Sequence, residues 1–74
     1  MKLSEIEKGR NYIITYVNAP LNLKYRLYDL GFIEGARISR MRESPLGDPV
    51  SYLIKGTVVA LRNSDARMIE VAEK

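Results

Sequence analysis

The sequence predicts a small, mainly β domain, a partly open five-stranded barrel with one helix between strands 1 and 2 and short helical turns. Three observations carry that expectation. Five short strand-like segments follow one another closely, the clearest of them, Tyr12 to Val17, rich in β-branched and aromatic residues, and turn formers mark tight turns between them. One helical period, Leu23, Leu27 and Leu30 at i, i+4 and i+7, interrupts the series once. A barrel suits so short a chain, because curling the sheet removes edges that a tiny domain cannot otherwise cover.

In chain order, Ser4-Glu5-Ile6-Glu7 has the capping-box pattern, which predicts a single helical turn over 5–8 that Gly9 ends. Tyr12 to Val17 is the clearest strand, apolar or aromatic on both faces and so expected to be covered on both. Asn18-Ala19-Pro20 breaks it. Asn22 is the expected N-cap of a helix from Leu23 to Leu30, with the three leucines toward the core and Tyr25 and Tyr28 on nearly the opposite side.

Gly31 then ends the helix. Placed just past the last turn it takes the positive φ that a Schellman ending needs, and it sets Phe32 against Leu27. Four residues later Gly35 supplies a second positive φ, as the third residue of a type II turn. These two glycines fold the chain back from helix into strand.

Ala36 to Arg42 reads as the second strand. Its alternation is poor, since Ile38 and Met41 are three apart, and this predicts a bulge or partial exposure. The loop 43–49, with Pro45, Leu46, Gly47, Asp48 and Pro49, is dense in turn formers. Val50 to Ile54 is the third strand, with Val50, Tyr52 and Ile54 on one face. Lys55-Gly56 makes a tight turn into the fourth, Thr57 to Leu61. Asn63 caps a one-turn element, and Met68 to Ala72 closes the chain with Ile69 and Val71 inward.

Composition limits what such a domain can do. At 74 residues it is one domain, residues 1–74, and buries only about 60% of its unfolded surface on folding. It has no cysteine and no histidine, which removes disulfides, thiolate sites and the usual zinc ligands. No run is long enough to span a bilayer and the N-terminus lacks a signal-peptide pattern, so a soluble, cytoplasmic protein is expected. Twelve basic against nine acidic residues give a mild net charge of +3.

The turn signals also form a pattern. Leu3-Ser4 with Gly9, Arg26-Leu27 with Leu30-Gly31 and Gly35, the stretch Pro45 to Pro49, Gly56 ahead of Ala60-Leu61-Arg62, and Ala66 with Ile69 and Val71 run nearly the whole length in order. In these the chain resembles the ferrous iron transport protein A (FeoA) family of small bacterial SH3-like barrels. Two departures are Glu34, where the family often has proline, and the polar stretch Arg37 to Arg42, usually more aliphatic. The resemblance implies an accessory to the ferrous iron permease, a membrane protein with a cytoplasmic GTP-binding domain, working in the cytoplasm or peripherally at the inner face of the membrane. It also implies a relation to the C-terminal barrel of iron-dependent repressors, although no helix-turn-helix precedes the barrel in these residues.

Enzymatic and metal chemistry find no support in the residues. Five scattered serines lack a base, and the near pair Glu5 and Glu7 is explained by capping. No catalytic residue, metal ligand or cofactor is assigned: an all-carboxylate Fe(II) site would be weak and unselective, and no phosphate-binding loop is present. Asp48 in its Gly-Asp-Pro turn is explained by backbone N–H bonds, and the arginines Arg26, Arg37, Arg40, Arg42 and Arg62 by solvated faces or by supply in trans to a GTPase.

What remains is interaction surface. Tyr25 and Tyr28, flanked by Lys24 and Arg26, are of types enriched at interface hot spots, unless the rings lie over the leucines or cover the barrel mouth. The restricted loop with Pro45, Leu46 and Asp48 is a second candidate contact. Leu27, Leu30, Gly31, Phe32, Gly35, Gly47 and Gly56 are assigned structural roles. Docking on the transporter's GTP-binding part is preferred, with a monomer or weak self-association. The alternative is nucleic-acid binding through Lys24, Arg26, Arg37, Arg40 and Arg42 with stacking tyrosines, which Asp29 and Glu34 oppose.

Overall fold

The computed structural model describes residues 1–74 as one antiparallel sheet of order β4-β3-β2-β1-β5. Its strands are β1 (Tyr12–Val17), β2 (Arg37–Glu43), β3 (Val50–Ile54), β4 (Thr57–Leu61) and β5 (Ile69–Glu73). Helix α1 (Leu21–Asp29) separates β1 from β2, and the single turn α2 (Asn63–Ala66) precedes β5. Inner-face residues from all five strands, among them Ile14, Ile38, Tyr52, Leu61 and Val71, share one buried core. One sheet can pool its residues in this way only by curling. Because β4 and β5 do not pair, the resulting SH3-like barrel stays open along one seam.

The two ends of the sheet are treated differently. Beside β5 lies the N-terminus: the Met1 ammonium donates to the Val71 carbonyl at 3.1 Å, and the Val71 N–H donates to the Met1 carbonyl at 2.7 Å. No segment pairs by backbone hydrogen bonds with the outer edge of β4.

Two bulges set the direction of key side chains. On β1 the register against β5 shifts between Ile14 and Tyr16, so Ile14 and Val17 both point inward while Thr15 and Tyr16 are exposed. The expectation that β1 is covered on both faces is therefore corrected: only its inner face is. On β2 the shift falls between Arg40 and Arg42, the bulge that the spacing of Ile38 and Met41 predicts. Alternation on β3 is as expected, with Val50, Tyr52 and Ile54 buried.

Three element starts differ from the sequence reading. The first turn is a short 3-10 segment, Leu3–Glu5, in which Glu5 rather than Glu7 accepts a backbone N–H, that of Lys2 at 2.7 Å. Leu3 and Ile6 both enter the core, and that packing sets the turn earlier than the Ser4 pattern does. Helix α1 begins at Leu21, not Leu23, with Pro20 at its N-cap and no cap from Asn22. The Pro20 carbonyl accepts the Lys24 N–H at 2.8 Å, and a missing N–H costs nothing at a helix start. Asn63 is the first residue of α2, with Arg62 in the cap position.

The two-glycine hinge forms as expected. Gly31 has φ +106°, its N–H donates to the Tyr28 carbonyl, and the Phe32 N–H donates to the Leu27 carbonyl, both at 2.9 Å. These are the two bonds of the Schellman ending, and Phe32 and Leu27 are both buried. Gly35, φ +89°, closes its turn with the Ala36 N–H on the Ile33 carbonyl at 3.1 Å. A Cβ on Gly31 would meet the Ile54 and Lys55 side chains at 3.6 and 3.7 Å, ordinary contact distances. At the Cβ, Gly31→Val is therefore strained by its backbone rather than by crowding. A loss of about 1–3 kcal/mol is expected for a side chain forced to positive φ, read by chemical denaturation; unchanged stability would refute the turn geometry.

Candidate functional site

Helix α1 does not lie flat on the barrel. Of the three stripe leucines only Leu27 is fully buried; Leu23 is half-buried and Leu30 is 41% exposed. The assignment of Leu30 to the core is corrected: as the C-cap residue it stands where the helix turns off, over the rim rather than over the centre. The under-filled stripe leaves a groove of about 300 Å³. Leu23, Arg26 and Leu30 form its helical wall, Arg62 and Asp65 the opposite wall, and Pro49 one end.

The far wall is tied down by two hydrogen bonds. The Asp48 carboxylate accepts the Asn63 N–H, and the Asn63 side-chain amide donates to the Gly47 carbonyl, each at 3.0 Å. The loop that carries Pro49 is thus fastened to α2, and Arg62 is held at the junction. Asp48 accepts a backbone N–H, as its turn context suggests, but from α2 and not from its own turn. Pro45 and Leu46 lie outside this arrangement; Leu46 is 95% exposed and touches none of the groove wall.

Both groove arginines are free of ion pairs. The molecule's carboxylate-bound cations are elsewhere: Met1 and Lys2 on Glu70, Arg10 on Glu7 and Glu73, and Arg40 on Glu43. The site therefore presents apolar side chains between two guanidinium groups, with Asp65 the one acid on its walls. Planar guanidinium groups donate in pairs to carboxylates, and aliphatic walls accept an apolar side chain. These are binding features, paired donors for an anion with apolar surface beside them. No three carboxylates converge on a point where an ion could sit.

The tyrosines divide. Tyr25 is 59% exposed, as its position on the helix predicts. Tyr28 instead packs against the core and donates its hydroxyl to both Glu34 oxygens at 2.9 and 3.0 Å. Lys24 Nζ lies 5.7 Å from the Tyr28 ring centroid. The Glu34 carboxyl is lowered below its ordinary value by its own backbone N–H and by the Tyr28 hydroxyl. The Tyr28 phenol is pushed up, first by burial and then by Glu34. Tyr28 thus braces the turn that holds Gly35 and is withdrawn from the exposed set.

Sequence reasoning singled out Arg26 and its neighbours but placed the interacting face on the tyrosine side. The groove lies on the leucine side, and Arg62, from a distant part of the chain, completes it. The basic set assembled for nucleic acid disperses: Arg40 turns inward, is half-buried and donates to the Ile6 carbonyl at 3.1 Å.

Comparison with known proteins places this geometry. The FeoA domain model matches residues 1–73. A fusion of Fe(2+) transport protein A with the Fe(2+) transporter FeoB in Porphyromonas gingivalis is 38% identical over 71 residues, covering 96% of this chain and 8% of the fusion protein. The solution structure of the Chlorobium tepidum FeoA protein superimposes with a TM-score of 0.91 at 37% identity, over 99% of this chain and 70% of that one. The zinc complex of Stenotrophomonas maltophilia FeoA, described as a prokaryotic SH3 domain protein, gives a TM-score of 0.83 at 29% identity, over 97% of this chain and 89% of that one.

Proposed function

The chain belongs to the FeoA domain family, and from that premise we propose that it is a cytoplasmic, non-enzymatic accessory of bacterial ferrous iron uptake that docks on the GTP-binding part of the ferrous iron permease. The groove between α1 and the Arg62–Asp65 wall carries the reading. It sets aliphatic side chains beside two arginines without carboxylate partners, and its far wall is fixed before any partner arrives. A preformed wall lowers the ordering cost of association. The fusion of both proteins in one relative supports the choice of partner. On this reading the occupant of the groove is an acidic, apolar segment of the permease's cytoplasmic part, and Tyr25, exposed on the other side of α1, is a second contact with the same partner.

The test is capture of the purified GTP-binding domain of the permease by tagged protein, with and without a GTP analogue. Binding in the micromolar range or tighter is expected. Tyr25→Ala is expected to weaken it about tenfold, equal to about 1.4 kcal/mol, with little change in thermal stability because the ring is exposed. Tyr28→Ala is expected to destabilise the domain instead. No capture under either nucleotide condition, or tight salt-steep binding to single-stranded DNA in its place, would refute the proposal.

A further inference from the structure

The outer face of β2, β3 and β4 combines aliphatic and cationic side chains. Since Ile38, Tyr52, Ile54 and Leu61 point into the core, the alternate residues of these strands point out. The register sets them in rows, Ser39 beside Leu53 beside Val58, and Arg42 beside Ser51 beside Ala60. The centre is apolar and open to solvent, with Leu53 at 37% and Val58 at 57% exposure. Arg37 and Lys55 flank a shallow cleft of about 320 Å³ at one end, which Ser39 and Asn11 also line. Arg42 stands at the other end. None of these outward positions carries a carboxylate. The acids that make ion pairs hold Met1, Lys2, Arg10 and Arg40, so Arg37, Arg42 and Lys55 stay uncompensated.

We propose that this face is a docking surface for an anionic phospholipid bilayer, with the Arg37–Lys55 cleft taking a headgroup phosphate and Leu53 and Val58 pressed toward the acyl boundary. Charge complementarity selects the occupant. A sheet face with an aliphatic centre and a cationic rim matches a surface that is negative outside and apolar beneath. Single-stranded nucleic acid would need aromatic side chains for its bases to stack on, and this face has none. The residues involved are distinct from Arg26, Arg62 and the leucines of the groove, so the proposal stands or falls separately from docking on a permease.

The experiment is co-sedimentation of the intact chain with vesicles of phosphatidylglycerol and phosphatidylcholine in equal parts, against vesicles of phosphatidylcholine alone. Association with the acidic vesicles only, weakening as salt rises, is expected. Arg37→Gln, Arg42→Gln and Lys55→Asn are expected to lower partitioning about fivefold each and on the order of a hundredfold together. Asn is chosen at position 55 because Lys55 has φ +50°, which Asn tolerates. Leu53→Ser with Val58→Ser should weaken binding while leaving its salt slope unchanged. A triple variant that binds like the parent, or no association with acidic vesicles, overturns the proposal. So does an NMR response of Arg37 and Lys55 to inorganic phosphate without vesicle binding, which would assign a site for free phosphate instead.

Discussion

Phe32→Ala is expected to cost the domain about 3–5 kcal/mol, a large share of the total, since a chain of this length is stabilised by roughly 4–11 kcal/mol. Phe32 has no exposed surface and is, with Tyr52, among the largest fully buried side chains. It arrives there as the C″ residue of the turn that ends α1, so its ring packs at the one place where helix, hinge and β-barrel meet. Removing the ring leaves a cavity that the surrounding core closes only in part. Leu30→Ala is expected to cost under about 1 kcal/mol, because Leu30 is partly solvated at the groove rim and leaves little cavity. Equilibrium urea unfolding of the two variants gives the comparison directly. Equal losses would mean that Leu30 is packed as deeply as Phe32, and would remove the groove along with the site argument built on it.

That contrast also marks how far the sequence could be read. The hinge was legible because its requirements are local. Gly31 and Gly35 sit where positive φ is needed, and each turn is closed by hydrogen bonds within a few residues. The inward set Val50, Tyr52 and Ile54 was legible because a period of two survives in a strand without bulges. Where tertiary contacts decide, local pattern misled. Ser4 and Glu7 fit a capping box, yet Leu3 and Ile6 are drawn into the core and the turn forms on Lys2 and Glu5 instead. Pro20 looks like a breaker and serves as a helix cap.

The groove is the instructive case. Leu23, Leu27 and Leu30 are equivalent by periodicity, and no property of the helix alone says that only the middle one is fully buried. Arg62 is 36 residues from Arg26 in the chain. It reaches the same groove because Asp48 and Gly47 bind Asn63 and hold the loop before β3 against α2. The outward rows of β2, β3 and β4 are similarly hidden, since the bulge near Met41 shifts Arg42 onto the face that Arg37 and Ser39 occupy.

Arg26→Glu with Arg62→Glu is expected to abolish capture of the permease's GTP-binding domain, a loss of a hundredfold or more, while the fold survives. The effect turns on the two guanidinium groups. Neither holds a carboxylate in the free protein, so reversing them breaks no ion pair, and exposed substitutions of this kind usually move stability by no more than about 0.5 kcal/mol. A glutamate in the last turn of α1 adds an unfavourable helix-dipole interaction of about 0.3–1 kcal/mol, which the domain can absorb. In the complex the balance differs. An acidic segment seated between the two positions would meet like charge on both sides, and like-charge contacts in an interface cost several kcal/mol. A second variant of equal net charge, Arg67→Glu with Lys74→Glu, separates position from overall attraction, because both side chains are exposed, make no ion pair and lie outside the groove. The groove pair should lose binding and the control pair should keep it. Equal losses in both would reduce the effect to long-range charge and leave the groove without a role.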